Sequence, residues 1–302
     1  MARPLEGLDF EALGTLVMVA EAGSFSAAAA RLELTQSTVS YRIDRLRRAF
    51  GDPLFVRDGA GVRLTERGVE AAAEAARLIE AAEAMLDGGR FDPATATGRF
   101  VIACNVYERA LLIPPVVRRL RAAAPGMTLT VTPSLSVGAE VLRRGGADLL
   151  LSPRLPEHDV FDATLLLEDS YVAVMDAANP LASGQLGAAA YEAAAHVMID
   201  YGGGWRSPYL DAASSEGLTL RPALVVPSPG ELTSLLVGTD LIATVPGRFA
   251  KTLDPVRLVM RPPPFQAGIT LFAYSAPVAR HSARTAWVRD AVAAAARKLA
   301  AR

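Results

Sequence analysis

The chain has 302 residues, a formal net charge of −1, 51% apolar residues and a single cysteine. That length allows two or three domains with cores of their own, while one cysteine excludes an intramolecular disulfide and any paired-cysteine metal or redox site. No apolar run approaches the roughly 20 residues that span a bilayer, and the first ten residues, with two acids and no apolar stretch, do not read as a signal peptide, so the expected compartment is the cytoplasm.

Residues 26–48, SAAAARLELTQSTVSYRIDRLRR, read as two short helices joined by a tight turn. The first covers about 26–32, and its alanines at 27–30 let another helix cross closely. Thr35 is a candidate N-cap for the second, because its hydroxyl can accept an orphan backbone N–H. Val39, Ile43, Leu46 and Phe50 recur at spacings of four, three and four, one face of a helix, and are expected to pack inward. Gln36, Ser37, Thr38, Ser40, Tyr41, Asp44, Arg45 and Arg48 occupy the rest of the surface. Short polar and basic groups of this kind bond base edges and phosphates, and Gln36 stands in the first turn, where a recognition helix meets bases. Asp44 is expected to pair with Arg48 one turn on. Pro53 ends the helix. Two extended runs, 54–56 and 62–64, flank the turn Asp58-Gly59-Ala60-Gly61 and predict a hairpin wing that sets Arg57 and Arg63 beside a groove. Between residues 31 and 67 eight arginines face five acids, a net of +3 on a chain of −1. A local basic patch is the footprint of a nucleic-acid site. Periodicity alone fits an ordinary amphipathic helix pair equally well; the wing and the charge favour DNA.

The stretch 8–57, LDFEALGTLVMVAEAGSFSAAAARLELTQSTVSYRIDRLRRAFGDPLFVR, closely resembles the N-terminal winged helix-turn-helix of LysR-type transcriptional regulators. The resemblance runs in order through Phe10 and Leu13, Gly23-Ser24-Phe25, Ala28, Ala29 and Leu32. It continues through residues 34–40, Ile43, Leu46, Gly51, Pro53-Leu54-Phe55, Arg57, Leu64-Thr65 and Gly68. Arg47 departs from the Glu that many members carry there. With the Asp-Pro-Leu-Phe-Val-Arg wing it resembles the subgroup that answers to aromatic compounds and flavonoids. The resemblance implies a DNA-binding regulator with a small-molecule effector. Candidate DNA contacts are Ser24, Gln36, Ser37, Thr38, Ser40, Tyr41, Arg45, Arg48, Arg57 and Arg63. Gln36, Ser37, Ser40 and Tyr41 are the expected base readers.

Residues 65–87, dense in Ala, Glu and Leu and free of proline, predict one long helix. Val69, Ala72, Ala76, Ile79 and Leu86 suggest a dimerisation seam, interrupted by Glu83. The alternative is a helix packed on its own domain. The resemblance implies antiparallel pairing of such helices and a homodimer or homotetramer on double-stranded DNA. Residues 88–98 read as a hinge.

Beyond Arg99, short apolar strands alternate with helices. Strands are expected at 100–104, 127–132, 148–151, 171–175, 196–200, 223–226, 241–244 and 269–274. Helices are expected through 116–120, at 139–144 and at 282–299. The pattern argues α/β with largely parallel sheets. Segments 161–168 and 261–268 read as crossings between two lobes, making the first lobe discontinuous. This resembles the two-lobed, periplasmic-binding-protein-like effector domain of the same family. The expected division is a winged helix-turn-helix domain over 1–64, a linker helix over 65–90 and an effector domain over 91–302. Lobe I takes 99–165 and 269–302, and lobe II takes 166–268.

Ligands of open α/β sheets bind beyond the carboxyl ends of strands, near helix N-termini. That rule selects Asn105, Val106 and Tyr107 after the first strand, and Ser152 and Arg154 after the third. It also selects Tyr201 and Trp205 around the glycines at 202–204, Ser228 as a capped helix start, and Thr244 at a strand end. Hydroxyls, an amide, aromatics and one Arg suit a small aromatic, carboxylate or phenol. Nothing suggests catalysis: the histidines at 158, 196 and 281 are scattered, and no nucleophile elbow, dinucleotide fingerprint or phosphate loop occurs. No catalytic residue, metal or cofactor is expected. Cys104, on an apolar strand, reads as an inert buried thiol. A solute-binding protein or enzyme sharing the two-lobed fold would leave the recognition helix and wing unexplained. An architectural DNA binder would leave some 200 residues of α/β domain without a role.

Overall fold

The computed structural model describes residues 8–59, 61–86, 90–134, 138–153, 155, 160–202 and 205–301. The chain divides into two compact units: the chain up to Phe91 with the short segments 142–146 and 281–283, and the remainder.

The first unit is a three-helix winged domain with a long fourth helix. α1 (Phe10–Ala22) starts at Asp9, whose carboxylate accepts the Ala12 N–H at 2.7 Å, and stops at Gly23 in the left-handed region. α2 (Phe25–Arg31) is capped by Ser24 and α3 (Gln36–Phe50) by Thr35. Val39, Ile43 and Leu46 are fully buried with Leu16, Val19 and Ala28, whereas Phe50 lies only half-buried at the edge. Each fully buried aliphatic side chain of this kind contributes about 1.5–3 kcal/mol.

β1 (Phe55–Asp58) and β2 (Gly61–Leu64) pair antiparallel as the wing, with Arg57 opposite Val62 and Val56 opposite Arg63. The wing is locked at both ends. The Val62 N–H donates to the Gly23 carbonyl at 2.9 Å, and a Cβ on Gly61 would stand 2.6 Å from that oxygen. At the base, one Asp52 carboxylate oxygen accepts the Leu54 N–H and the Thr65 hydroxyl, each at 2.7 Å. These bonds hold the Asp52 carboxyl below its ordinary range, the Thr65 contact first. Thr65 Oγ1 accepts the Gly68 N–H at 2.9 Å, and the Thr65 N–H donates to the Leu54 carbonyl at 3.0 Å. Leu54 takes a positive φ of 60° while fully buried.

α4 (Glu66–Leu86) lays Ala71, Ala72 and Ala75, with half-buried Ile79, into this core. The expected seam therefore splits. Ala72 and Ile79 belong to the winged domain's own core, and Val69 and Ala76 remain exposed. The Leu86 and Glu83 side chains lie outside the described residues.

Among the described residues the second unit has a nine-stranded sheet, in the order β4 (Met127–Thr132), β3 (Gly98–Ala103), β5 (Leu149–Pro153), β11 (Gly268–Ser275), β6 (Asp162–Asp176), β9 (Leu241–Pro246), β7 (Ala195–Ile199), β8 (Pro222–Val226), with β10 (Leu258–Arg261) on β6. β3 (Gly98–Ala103) leads through α5 (Val106–Ala123) to β4 (Met127–Thr132), then α6 (Glu140–Arg143) and β5 (Leu149–Pro153). β6 (Asp162–Asp176) follows. Residues 162–170 pair with β11 (Gly268–Ser275) except for Leu166 at a register shift, and Tyr171–Met175 pair with β9 (Leu241–Pro246). This one strand runs out of the first lobe into the second, and β11 returns. The second lobe adds α7 (Ala188–Ala193), β7 (Ala195–Ile199), α8 (Pro208–Ser215), β8 (Pro222–Val226) and α9 (Leu232–Leu236). After β9 come α10 (Gly247–Ala250) and β10 (Leu258–Arg261), and α11 (Ala283–Ala300) closes the unit.

The expectation of largely parallel sheets is corrected. Among the described residues β3–β4, β3–β5, β7–β8 and β7–β9 are parallel, and β5–β11, β6–β11, β6–β9 and β6–β10 are antiparallel. Both crossing strands run against their neighbours. The segment 161–168, expected as a crossing between lobes, lies mostly inside β6, where it pairs with β11. No single described helix is long and apolar enough to cross a membrane. α1 and α2 pass only as a pair, bent by 118°, and their apolar residues fill the winged core.

Gly68 gives a test of the wing lock. A Cβ there would fall well inside van der Waals contact of the Leu54 carbonyl oxygen. In an open helix position Gly→Ala stabilises by about 1 kcal/mol; here Gly68→Ala is expected to destabilise by about 1–3 kcal/mol. Thermal unfolding measures it, and a higher melting temperature for the variant would refute the close approach.

Candidate functional site

Each unit carries a grouping of side chains suited to binding. On the first, Thr35 Oγ1 accepts the Thr38 N–H at 3.1 Å and lies 2.8 Å from the hydroxyls of both Ser37 and Thr38. Gln36 and Ser37 are exposed, Thr38 and Ser40 half-buried, and Tyr41 is 61% exposed. Gln36 Oε1 accepts the Ser26 hydroxyl at 3.3 Å. Ser26, exposed on α2, is absent from the sequence-based candidates, since nothing local marks a bond to a residue ten positions away. Ser24 is half-buried, its hydroxyl accepting the Ala27 N–H at 3.4 Å.

The arginines divide into tied and free. Arg45 reaches the Asp9 carboxylate at 2.9 Å. That carboxyl is held low by the Ala12 N–H first and then by the Arg45 charge. Arg42 pairs with Glu11 and donates to the Thr15 hydroxyl at 3.3 Å. Asp44 pairs with Arg47 at 2.9 Å and not with Arg48 as expected. Arg47 can serve both sides at once: its Nε also donates to the Pro53 carbonyl at 2.8 Å, tying α3 to the turn before the wing. Arg48 donates instead to the Asp44 carbonyl at 3.3 Å. Arg63 stands 4.0 Å from Asp58, both well exposed, a contact of little energy. Arg48 and Arg57 are exposed and make no ion pair among the described residues.

The second grouping is a narrow cleft with about 30 Å³ of free space at the carboxyl ends of the strands. Asn105, Tyr107, Tyr201, Trp205 and Thr244 line it. Val106 and Ser152 do not: both are half-buried beside it, Ser152 paired with Phe272 on β11. Ser228 is no helix cap. Its hydroxyl accepts the Gly230 N–H at 3.1 Å in a turn, α9 begins only at Leu232, and the neighbouring Pro229 reaches the cleft. Arg154, His158 and the glycines at 203 and 204 lie outside the described residues. The Thr244 hydroxyl is already committed to Tyr191 at 2.6 Å.

Sequence reasoning missed Glu108, Tyr171, Ser207 and Phe249, which also line the cleft. Glu108 is 2% exposed. It closes a capping box at the start of α5 by accepting the Asn105 N–H at 3.0 Å. Burial pushes its carboxyl up to about 7. Tyr107 donates to Asp169 on β6 at 3.0 Å, and the same carboxylate oxygen accepts the Arg248 N–H of α10 at 2.9 Å. Burial raises the Tyr107, Tyr171 and Tyr201 phenols, so all three stay protonated. Cys104 is fully buried and its thiol is pushed up to about 12, chiefly by burial, which leaves it unreactive. His196 is buried, 2.7 Å from the Tyr191 carbonyl, and burial pulls its ring down, away from the charged form. No cluster of metal-ligating side chains occurs among the described residues.

Comparison with known proteins covers both units. Residues 10–69 match the family model described as bacterial regulatory helix-turn-helix protein, lysR family, and residues 93–297 match the LysR substrate binding domain. Over 265 residues the chain is 31% identical to Nodulation protein D 1 of Neorhizobium galegae, with 85% of each protein covered. The structure of a probable transcriptional regulator from Pseudomonas aeruginosa is similar with a TM-score of 0.69 at 28% identity, covering 95% of this chain and 97% of that one. A full-length OxyR from the same organism, 19% identical, shares the fold with a TM-score of 0.68 over 96% of this chain and 97% of its own.

The raised Glu108 acid has a consequence for stability. Between its ordinary value of 4.5 and about 7 the folded state keeps a proton that the unfolded state has released. Its contribution to stability therefore falls as pH rises through that window and levels off above it. His196, pulled down, acts with the opposite sign over an overlapping range. The difference between wild type and Glu108→Gln isolates Glu108, since Gln can keep the capping bond. Urea unfolding across this window is expected to show the variant gaining on wild type as pH rises. A pH-independent difference would mean that Glu108 titrates normally.

Proposed function

The chain belongs to the LysR family of bacterial transcriptional regulators, and from that premise we propose how it reads DNA and senses its effector. It is a DNA-binding regulator with an effector-binding domain. The observation that carries the DNA reading is the outer face of α3: a capped first turn of short polar groups beside an exposed Tyr41, with Arg48 and Arg57 in no ion pair among the described residues. In this reading α3 enters the major groove. Gln36, Ser37, Ser40 and Tyr41 meet base edges, and Arg48, Arg57 and Arg63 meet phosphates. Ser26 holds the Gln36 carbonyl oxygen, leaving the amide N–H groups for acceptors such as purine N7 or guanine O6. Ser24 and Thr38 border the same face. Arg45, held by Asp9, contacts a phosphate only by exchanging partners.

In this reading residues 1–64 bind DNA, 65–90 form the linker helix and 91–302 form the effector domain. α4 pairs with a second copy through the face that carries exposed Val69 and Ala76, giving a homodimer or homotetramer. The effector occupies the cleft, and the phenols and the Trp205 indole favour a small polar aromatic compound. The protein works in the cytoplasm with no catalytic role, cofactor or metal. The ligand acts by binding one arrangement of the lobes better than another, since only differential affinity shifts such an equilibrium.

Binding of the purified protein to DNA immediately upstream of its own gene, against scrambled DNA over a salt series, tests this. Tight, sequence-preferring binding with a steep salt slope is expected. Gln36→Ala is expected to cost about 1–3 kcal/mol and relax base preference, and Arg57→Ala to reduce the salt slope by about 1 while weakening all sequences alike. Equal weakening of every sequence by Gln36→Ala would remove its base-reading role. No binding at low salt would remove the DNA reading.

A further inference from the structure

We propose that Glu108 sets the ligand selectivity of the cleft, admitting uncharged ligands that donate a hydrogen bond and turning carboxylates away. This rests on reading the cleft as the effector site.

The N-terminus of a long helix beside strand carboxyl ends is ordinarily a seat for an anion, because its first N–H groups lack partners. α5 has 18 residues and opens onto the cleft at Asn105. Here the seat is taken by the protein's own acid. Glu108, a residue 2% exposed that lines the cleft, accepts the Asn105 N–H with its carboxylate. The groups facing it do not favour a second anion. Tyr107 and Tyr171 approach from α5 and β6 and Tyr201 from the loop after β7, and Glu108 opposes ionisation of all three. Cys104 behind it is a neutral thiol. Two cations act from outside the wall: Arg109, the next residue, is exposed and favours the Glu108 anion, and the Arg248 charge from α10 reaches Tyr107, but no Lys or Arg stands among the described lining residues.

An entering carboxylate would find one helix donor already used, a like charge in a poorly screened site, and no described Lys or Arg on the cleft wall to pair with. An uncharged hydroxyl or N–H would find an acceptor that strengthens as Glu108 ionises. The capping bond alone would explain an acid at this position. Its burial against three phenols on the wall of a cleft gives it a second role, as a filter on charge.

Isothermal titration of the full-length protein with 4-hydroxybenzamide and 4-hydroxybenzoate, which differ in charge and little in shape, tests the proposal. At about pH 8, where Glu108 is ionised, the amide is expected to bind at least about tenfold tighter. Glu108→Gln should narrow that ratio to within about threefold, mainly by strengthening the benzoate. In wild type the ratio should also shrink towards about pH 6, where Glu108 takes up its proton. Benzoate binding as tightly as the amide in wild type, or a ratio unmoved by Glu108→Gln, would overturn the proposal while leaving the cleft as the site. Phe249→Trp, which crowds the cleft, separates the two failures. If it leaves both ligands unaffected, or if wild type binds neither, the cleft reading falls and the proposal with it.

Discussion

The cleft depends on Asp169. It sits midway along β6, opposite Ile269 of β11 and next to the point where the strand leaves one half of the sheet for the other. One of its carboxylate oxygens accepts the Tyr107 hydroxyl from the first turn of α5 and the Arg248 N–H from α10, and the other accepts the Ser170 N–H. One side chain therefore binds two helix starts to the strand that both lobes share. A helix start is where backbone N–H groups lack partners, so α10 gains a stabilising anion while Tyr107 is held against the cleft wall. Without that anchor nothing local would keep a phenol, a buried acid and the α10 turn around one space.

The same economy appears in the winged unit, where the charge open to a phosphate is smaller than the composition suggests. Arg42, Arg45, Arg47 and Arg67 each hold a carboxylate of their own domain. Arg47 and Asp52 secure opposite sides of the same turn, one through the Pro53 carbonyl and the other through the Leu54 N–H and Thr65. The basic patch is thus partly a framework that stiffens α3 and the wing, with few arginines left for phosphate. Exposed pairs of this kind add little stability each. Their value lies in fixing where the polar face of α3 points, which matters when a bidentate base contact tolerates little misplacement.

How much could be read from sequence follows from how local each contact is. The winged unit was legible because its caps, its buried face at Val39, Ile43 and Leu46 and its hairpin turn are all short-range patterns. What failed there was the choice between near-equivalent partners: Asp44 with Arg47 or Arg48, and Ala72 with its own core or another copy. Both need three-dimensional neighbours. In the second unit eight strands are legible singly and β10 is not, and only the second half of β6 reads as a strand, because Glu168-Asp169-Ser170 interrupts its apolar pattern where the strand passes between lobes. The antiparallel crossings are a matter of topology that no period reveals. Five cleft residues came from the rule about strand ends. Glu108 did not, although Asn105 followed three residues later by Glu108 spells a capping box. Read as a cap, that acid is structural; only burial beside the phenols shows its other face.

The cleft and the crossing strands are parts of one device. Asn105, Tyr107 and Glu108 come from the α5 end of the sheet, whereas Thr244 and Phe249 come from the β9 end and Tyr201 from the loop after β7. The two sets are joined through β6 and β11, and Tyr107 and α10 already share Asp169. A ligand filling the cleft would touch both sets at once, so the contacts that hold it must also constrain the bend of the two crossing strands. That is the condition for a binding event to be felt beyond its own site: a joint with more than one setting, and a ligand that prefers one of them. A ligand hydrogen-bonded to Glu108 alone would bind without informing the second lobe. One that also packs against Tyr201 or Phe249 would carry the difference in free energy that regulation requires.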